Sequence, residues 1–135
     1  MNEATRALNW LMTTLASAAP GGVWEGIAPL SVTTTPYIVA QMQSAVDVEG
    51  VAGVRLWSRQ TWQVKAVGPA SAFTAMQSAA DALDTALQRA TGAASDGTAI
   101  YRCVRLRPLA IPELQKDGTL WLNYGGLYQI DVQAA

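Results

Sequence analysis

Residues 61–90 of the chain read TWQVKAVGPASAFTAMQSAADALDTALQRA. Apolar and polar side chains alternate along TWQVKAV, which is typical of a strand with one buried face and one wetter face; the apolar set is Trp62, Val64 and Ala66. Gly68 and Pro69 then interrupt the pattern, because glycine permits turns and proline has no N–H to donate. The stretch predicts a strand over residues 60–67, followed by a helix.

The helix after Pro69 is predicted to begin near Ser71 and to be amphipathic. Apolar side chains recur every three or four residues, which is the spacing of one helical face: Phe73, Met76, Ala80, Leu83 and Leu87. We expect this face to lie in the core and to hold the helix on the sheet. An adjacent face allows a second element to approach closely, or reflects only helix propensity; it consists of Ala75, Ala79, Ala82 and Ala86.

Another helix is predicted near the N-terminus, over residues 3–18. Its apolar face has helical spacing: Ala4, Leu8, Leu11, Met12, Leu15 and Ala18. The sequence Pro20-Gly21-Gly22 ends it. Trp10 lies away from the centre of this face, and two interpretations stay open. It is either covered by a following loop, or exposed as an anchor for another protein, since tryptophan is enriched at interface hot spots.

Strand-rich sequence lies on both sides of the central strand and helix. The further predicted strands cover residues 23–27, 36–44, 98–107 and 119–132. Residues 109–116 contain Pro112 and follow Pro108, and they are predicted to lie outside the strands, before a turn at Asp117-Gly118. Gly125-Gly126 indicates a bulge or bend in the last strand. Residues 47–59 fit either an edge hairpin or a long loop.

These elements predict an α+β fold, with the N-terminal helix and the second amphipathic helix packed on a mainly antiparallel sheet. The length of 135 residues predicts a single domain over residues 1–135. Only 14% of the residues are charged, against roughly 25% in typical soluble domains. The chain is therefore either an ordinary compact domain or one that buries apolar surface against other subunits.

The residue inventory leaves little for chemistry. The chain has no histidine and one cysteine, Cys103, which excludes Ser–His catalysis, an intrachain disulfide and a cysteine cluster for metal. The carboxylate pairs Asp81/Asp84 and Asp47/Glu49 fit solvated faces better than acid–base or metal sites. We therefore expect no enzyme activity, no catalytic residue, no cofactor and no metal.

The sequence also bears on location. No apolar run approaches the roughly 20 residues needed to cross a bilayer, and the first ten residues, MNEATRALNW, read as a helix rather than a signal peptide. We therefore expect a cytoplasmic product without a membrane partner. The net charge of −1 gives no long-range field that would gather nucleic acid.

Three arginines near the end of the chain form the one concentrated charge feature. Simple alternation places Arg105 and Arg107 on one face with Tyr101 and Cys103, and Arg102 on the other. Three interpretations stay open. The arginines lie on a solvated face with cross-strand pairs, form ion pairs across a subunit interface, or contact passing DNA.

The order of these elements resembles that of the tail-terminator, or tail-completion, proteins of long-tailed bacteriophages. The stretches that carry the resemblance are PYIVAQ at 36–41, TWQVKAV at 61–67 leading into the helix, and YQIDVQ at 128–133. The resemblance covers nearly the whole chain, from residue 5 to residue 132. None of these stretches is a catalytic signature, so the resemblance concerns architecture and assembly.

The resemblance implies a structural virion protein with an α+β fold. Members of that family form a hexameric ring that caps the tail tube and stops its growth. The ring contacts the major tail tube protein and docks to the head–tail connector protein, and genome DNA passes through the lumen without specific binding. The protein is then assembled in the host cytoplasm and resides in the virion, at the head–tail junction.

A ring of identical subunits uses head-to-tail contacts, which would cover apolar surface in a chain of low charge. The arginines would meet carboxylates of the next subunit, with Asp131, Glu113 and Asp47 as candidate partners. The candidate interface residues are Trp10, Arg102, Arg105, Arg107 and Asp131.

Two other functions stay open. The first is a different head–tail joining protein or a minor tail protein. The second belongs to another class, a small-molecule-binding or enzymatic α+β domain. That class requires a concave pocket with a few convergent polar groups, and the sequence carries no motif for one.

Overall fold

A six-stranded sheet with both helices on one face forms the fold. The computed structural model describes residues 1–134. The strand order is β1-β2-β3-β6-β5-β4, with β1 and β2 parallel and the other neighbours antiparallel. The predicted α+β class is confirmed. The elements in chain order are α1 (Glu3–Thr14), β1 (Val23–Glu25), β2 (Tyr37–Glu49), β3 (Arg55–Pro69), α2 (Phe73–Leu87), β4 (Gly92–Ala93), β5 (Ala99–Leu114) and β6 (Leu120–Gln133).

Strand β3 lies between β2 and β6 and carries the centre of the core. Its residues Trp62, Val64 and Ala66 are buried in the cluster that both helices join, as predicted. Gln63 and Lys65 alternate with them and are half-buried on the other side of the sheet. That side, which carries Gln63 and Lys65, is called the open face below.

Helix α2 packs on the sheet through the predicted face, with one exception. Met76, Leu83 and Leu87 are fully buried. Phe73 was predicted to be a core residue, which is wrong, since 46% of it is exposed. It is the first residue of α2, and its ring lies edge-on to Tyr124, with ring centroids 6.1 Å apart. A residue at the start of a helix can extend past the sheet, which periodicity alone does not reveal.

The alanine face of α2 is divided between core and solvent. Ala79 is buried and belongs to the core, whereas Ala75 is exposed. Ala86 is partly buried and packs against the core. The face therefore does not form one continuous exposed surface for a second element.

Helix α1 is shorter than predicted and rotated about its axis. It ends at Thr14 instead of residue 18, and the Asn2 side chain caps its start by accepting a hydrogen bond from the Thr5 N–H at 2.8 Å. Met12 is exposed. The buried side chains in and just after the helix are Ala7, Trp10, Leu11 and Leu15.

The burial of Trp10 is the clearest consequence of that rotation. It is only 5% exposed, and its indole lies so close to Gly92 that a Cβ there would come within 2.6 Å of Nε1. The residue that covers it belongs to β4, far along the chain, so local sequence gave no sign of the contact. The interpretation of Trp10 as an exposed anchor is therefore wrong.

Residues 47–59 form an edge hairpin, which was one of the two alternatives for this stretch, rather than a long loop. β2 continues to Glu49 and β3 begins at Arg55, with a short 3-10 turn over Val51–Gly53 between them. Ala52 has a φ of 64° in this turn, a left-handed conformation that non-glycine residues rarely adopt. The strands on either side are consequently longer than predicted.

Strand β5 runs through two prolines, contrary to the prediction of a loop there. It continues past Arg107 through Pro108 and Pro112. β4 pairs only with Ala99 and Ile100, so further along β5 is the last strand of the sheet. A proline on the outer side of an edge strand loses no ladder hydrogen bond, which explains why both are tolerated.

The bulge predicted at Gly125-Gly126 lies on the neighbouring strand instead. β6 pairs with β3 without interruption through both glycines. The register shifts fall between β5 and β6 instead, at Ile100/Arg102 and at Arg105/Arg107, and the second of these lies nearer the glycines. Gly125 serves close approach of two backbones. A Cβ at this position would collide with the carbonyl oxygen of Val64.

The placement of α2 predicts unequal costs for two truncations on the same helix. Leu83→Ala should lower the free energy of unfolding by about 2–5 kcal/mol, because it empties a fully buried site. Phe73→Ala should cost about 1 kcal/mol, since much of that side chain is already in water. Guanidinium unfolding followed by circular dichroism measures both, and equal losses would contradict the placement.

Candidate assembly interface

The register of the sheet determines where each charged side chain points, because paired residues on neighbouring strands share a face. In the register of β5 and β6, Arg102 lies next to Asp131 and Arg107 lies next to Leu127. Both partners pair in turn with open-face residues of β3. Arg102 and Arg107 therefore lie on the open face.

Arg105 lies on the opposite face, under the helices. It pairs with Tyr128, a buried core residue. The register shift between Arg105 and Arg107 inserts Leu106 as an extra residue and reverses the alternation. The prediction that Arg105 and Arg107 share a face is therefore wrong, because simple alternation does not survive a bulge.

Arg105 links β5 to α2 within the chain. Its Nη1 lies 3.6 Å from Asp84 Oδ1, and its backbone N–H donates to Gln88 Oε1 at 2.7 Å. The same Asp84 oxygen accepts a hydrogen bond from the Tyr128 hydroxyl at 2.7 Å. Burial and then the hydrogen bond to Asp84 raise the pKa of Tyr128, so the hydroxyl keeps its proton.

Asp131 is engaged within the chain as well. It is 5% exposed and accepts two hydrogen bonds from Arg59, from Nε at 3.0 Å and from Nη2 at 3.2 Å. The hydrogen bond and the carboxylate charge both raise the pKa of Arg59. Its pairing with Arg59, 72 positions away, takes up the carboxylate that was expected to meet another subunit.

The remaining arginines have no such partner. Across residues 1–134, neither Arg102 nor Arg107 forms a salt bridge, and both are exposed. Of the other two candidate carboxylates, Asp47 lies 3.6 Å from Arg55, and Glu113 is 3.4 Å from the Asn123 amide. The predicted interface residues thus separate into Arg102 and Arg107, which are free, and Trp10, Arg105 and Asp131, which are engaged in the fold.

A cavity of about 450 Å³ lies beside the Arg59–Asp131 pair. Trp57 and Tyr101 form one wall, with ring centroids 6.4 Å apart and the rings nearly perpendicular. Trp57 Nε1 is buried, and no atom of residues 1–134 forms a hydrogen bond with it. The only sequence signal for this cavity was the presence of aromatic residues on two strands, which does not predict their meeting.

A second cavity of about 300 Å³ opens at the other end of the sheet. Tyr37, Lys65 and Glu113 contribute polar groups to it. Burial and then the Glu113 carboxylate raise the pKa of Tyr37. Its volume is at the lower limit for small-molecule sites, and Ile27 on its rim is largely exposed.

The outer side of β5 is covered along its first part, and two prolines lie further along it. β4 pairs with its first residues, and then the chain after α2 takes over, with the Arg89 N–H donating to the Cys103 carbonyl at 2.8 Å. Further along, Pro108 and Pro112 have no N–H to offer. This edge therefore offers few backbone groups to another strand.

The outer side of β2 is different. β1 covers only its first part, ending where the Gly26 N–H donates to the Ala40 carbonyl at 2.9 Å. From Gln41 to Glu49 no strand of the described chain pairs with this side, and nearly all of these residues are exposed. The β5 edge therefore offers few backbone groups, whereas the β2 edge is half open.

The described residues offer little for catalysis. No group of three or more His, Cys, Asp or Glu side chains in residues 1–134 is placed to hold a metal ion. Burial, with a smaller contribution from Asp84, raises the pKa of Cys103 to about 12. None of the helices in this part of the chain is long and apolar enough to span a membrane.

Comparisons with known proteins are informative about the fold. No protein-family model matches the chain, and no curated protein sequence matches it. Among solved structures, a chain from the virion of a native gene transfer agent (GTA) particle has a similar fold, with a TM-score of 0.63 at 17% identity. The match covers 92% of this chain and 84% of that chain, so the two share a fold over almost their whole lengths.

The burial of Cys103 predicts its reactivity. At pH 8 the thiol stays protonated, because its pKa is raised to about 12, and the thiolate is the reactive form. A disulfide reagent should therefore modify the native protein at least about a hundredfold more slowly than the unfolded protein. Ser78→Cys, on the exposed side of α2, adds a reference thiol that should react at once. Equal native rates for the two thiols would contradict the burial.

Proposed function

We propose that this chain is a structural virion protein that forms a ring at the end of a phage tail tube. The ring stops tube growth and joins the tail to the head connector. The observation that carries the proposal is the fold shared with the GTA virion chain over 92% of this chain. The stretches PYIVAQ, TWQVKAV and YQIDVQ add the resemblance to tail-terminator proteins.

The ends of the sheet support a role as a joint between two larger assemblies. The β2–β3 hairpin and the β5–β6 hairpin turn at opposite ends of the sheet. Each tip exposes large apolar side chains, which are typical of contact surfaces. At the first tip these are Val51, Val54 and Leu56, and at the second they are Leu114 and Leu120.

In a ring whose strands follow the ring axis, the two tips face opposite sides of the ring. One would contact the major tail tube protein, and the other the head–tail connector protein. The protein would then work without catalysis, as a homohexamer located at the head–tail junction of the virion. Genome DNA would pass through the lumen without specific binding, consistent with a chain whose net charge is −1.

The proposal predicts capping of tail tubes. Tubes assembled without this chain should be overlong and variable, and tubes assembled with it should be uniform. Purified chain added to finished tubes should give extra density with sixfold symmetry at one end only, seen by negative-stain electron microscopy. Tubes of normal length without the chain would contradict the capping role, and density confined to the head side of the neck would favour another head–tail joining protein.

The hairpin tips predict two separable losses. Val51→Ser with Val54→Ser changes one tip, and Leu114→Ser with Leu120→Ser changes the other. All four side chains are exposed, so thermal unfolding should shift little. One pair should abolish binding to tubes while leaving connector binding intact, and the other pair should do the reverse. Each pair is the control for the other, and two pairs with the same effect would contradict opposite docking ends.

A further inference from the structure

We propose that neighbouring copies of the chain meet through opposite edges of the sheet. The basic β5 edge of one copy contacts the acidic β1–β2 edge of the next. This proposal rests on the proposed ring, and it identifies the surfaces that join its subunits. Three observations carry it: the charges on the two edges, which of those charges form ion pairs within the chain, and where they lie along the strands.

The β1–β2 edge is acidic. These two strands carry Glu25, Asp47 and Glu49 and contain no lysine or arginine. Glu25 and Glu49 are exposed and form no salt bridge in residues 1–134. Asp47 is 3.6 Å from Arg55, across a pair of exposed side chains, and such pairs contribute little. This edge therefore presents carboxylates to whatever lies beside it.

The β5 edge is basic. The strand carries Arg102, Arg105 and Arg107 against one acidic residue, Glu113. Arg105 is held by Asp84, but Arg102 and Arg107 are exposed and unpaired. Arg89 adds a further exposed cation beside the strand, where its N–H bonds to Cys103. The two edges of one sheet thus carry opposite charges.

The charges on the two edges also lie at corresponding positions along the strands. Following paired residues across the sheet, the row that starts at Arg102 ends on β2 at Val46, next to Asp47. A closed ring has no rise from one subunit to the next. If the strands follow the ring axis, Arg102 of one copy therefore comes level with Asp47 of its neighbour. Asp47 pairs with Ser58 and lies on the helix side of the sheet, so the long Arg102 side chain would reach it around the edge from the open face.

A second row gives the same result higher on the sheet. It starts at Pro108, next to Arg107, and ends on β2 at Ala40. The β1 partner of Ala40 is Glu25. Arg107 and Glu25 are therefore level as well. Two independent rows bring an unpaired cation on one edge level with a carboxylate on the other. In both rows the arginine lies on the open face and the carboxylate on the helix side, so the arginine side chains would reach around the edge.

This distribution of charge favours one mode of association. Two acidic edges repel each other, and so do two basic edges, so symmetric pairing of like edges is disfavoured. A contact between the acidic edge of one copy and the basic edge of the next is a head-to-tail contact, and such contacts can close into a ring. Because prolines and the chain after α2 occupy the outer side of β5, side chains rather than a continuous backbone ladder would make the contact.

Charge reversal tests the contact. One variant reverses the basic edge, with Arg102→Glu and Arg107→Glu. Another reverses the acidic edge, with Glu25→Lys and Asp47→Lys, and a third combines all four changes. Lys65→Glu is the matched control, because Lys65 lies on the open face but on a central strand. Self-association is measured by mass photometry and sedimentation, with and without tail tubes, and thermal unfolding checks the fold.

Each single-edge reversal should weaken self-association by roughly tenfold or more, since attraction becomes repulsion at every interface of the ring. The four-residue variant should associate nearly as well as the wild type, because both edges are reversed together. Lys65→Glu should have little effect. Unchanged association in the single-edge variants, or no recovery in the combined one, would overturn the proposal.

Three outcomes separate this contact from its rivals. If all variants that lose an open-face cation, Lys65→Glu included, bind duplex DNA less tightly while association stays intact, the open face serves DNA and the edge contact is wrong. If each of the two single-edge variants still caps tubes fully, the contact is wrong and the tail-cap function stands. If association responds to reversal but the wild type never caps tubes, the contact stands and the tail-cap function is wrong.

Discussion

The burial of one face of β3 is the constraint on which the rest of the structure depends. Trp62, Val64 and Ala66 need apolar cover on one side, and the strand needs a hydrogen-bonded neighbour along each edge. The helix α2 supplies the cover, while β2 and β6 supply the neighbours. Trp62 adds a polar requirement, because its buried Nε1 donates to Gln60 Oε1 at 2.8 Å. Satisfying all of these at once leaves few other arrangements for the chain.

Local pattern was enough for the features that depend on nearest neighbours in sequence. The alternation around Val64 and the helical spacing around Leu83 correctly predicted β3, α2 and the α+β class. The failures share a different cause. Trp10 is buried by a residue of β4. Pro108 is tolerated because β4 pairs only with the first residues of β5 and does not reach it. Such facts depend on elements remote in sequence, which periodicity does not contain.

The candidate interface shows the same division. The sequence identified the arginines of β5 as a charge concentration, but not which of them the fold uses. A single inserted residue, Leu106, sends Arg105 to the helices and leaves Arg107 on the open face. The Arg59–Asp131 pair joins residues 72 positions apart, so only the strand register reveals that this carboxylate is occupied. The charged side chains available for contacts outside the chain are those that form no ion pair within it.

The half-open outer side of β2 has a consequence for the solubility of the free protein. In the free protein, residues 41–49 are where another extended chain can add as an extra strand, which is how unprotected edges begin to aggregate. Asp47 and Glu49 lie in this segment and act as charged gatekeepers against such growth. Removing these carboxylates would therefore make precipitation of the free protein more extensive.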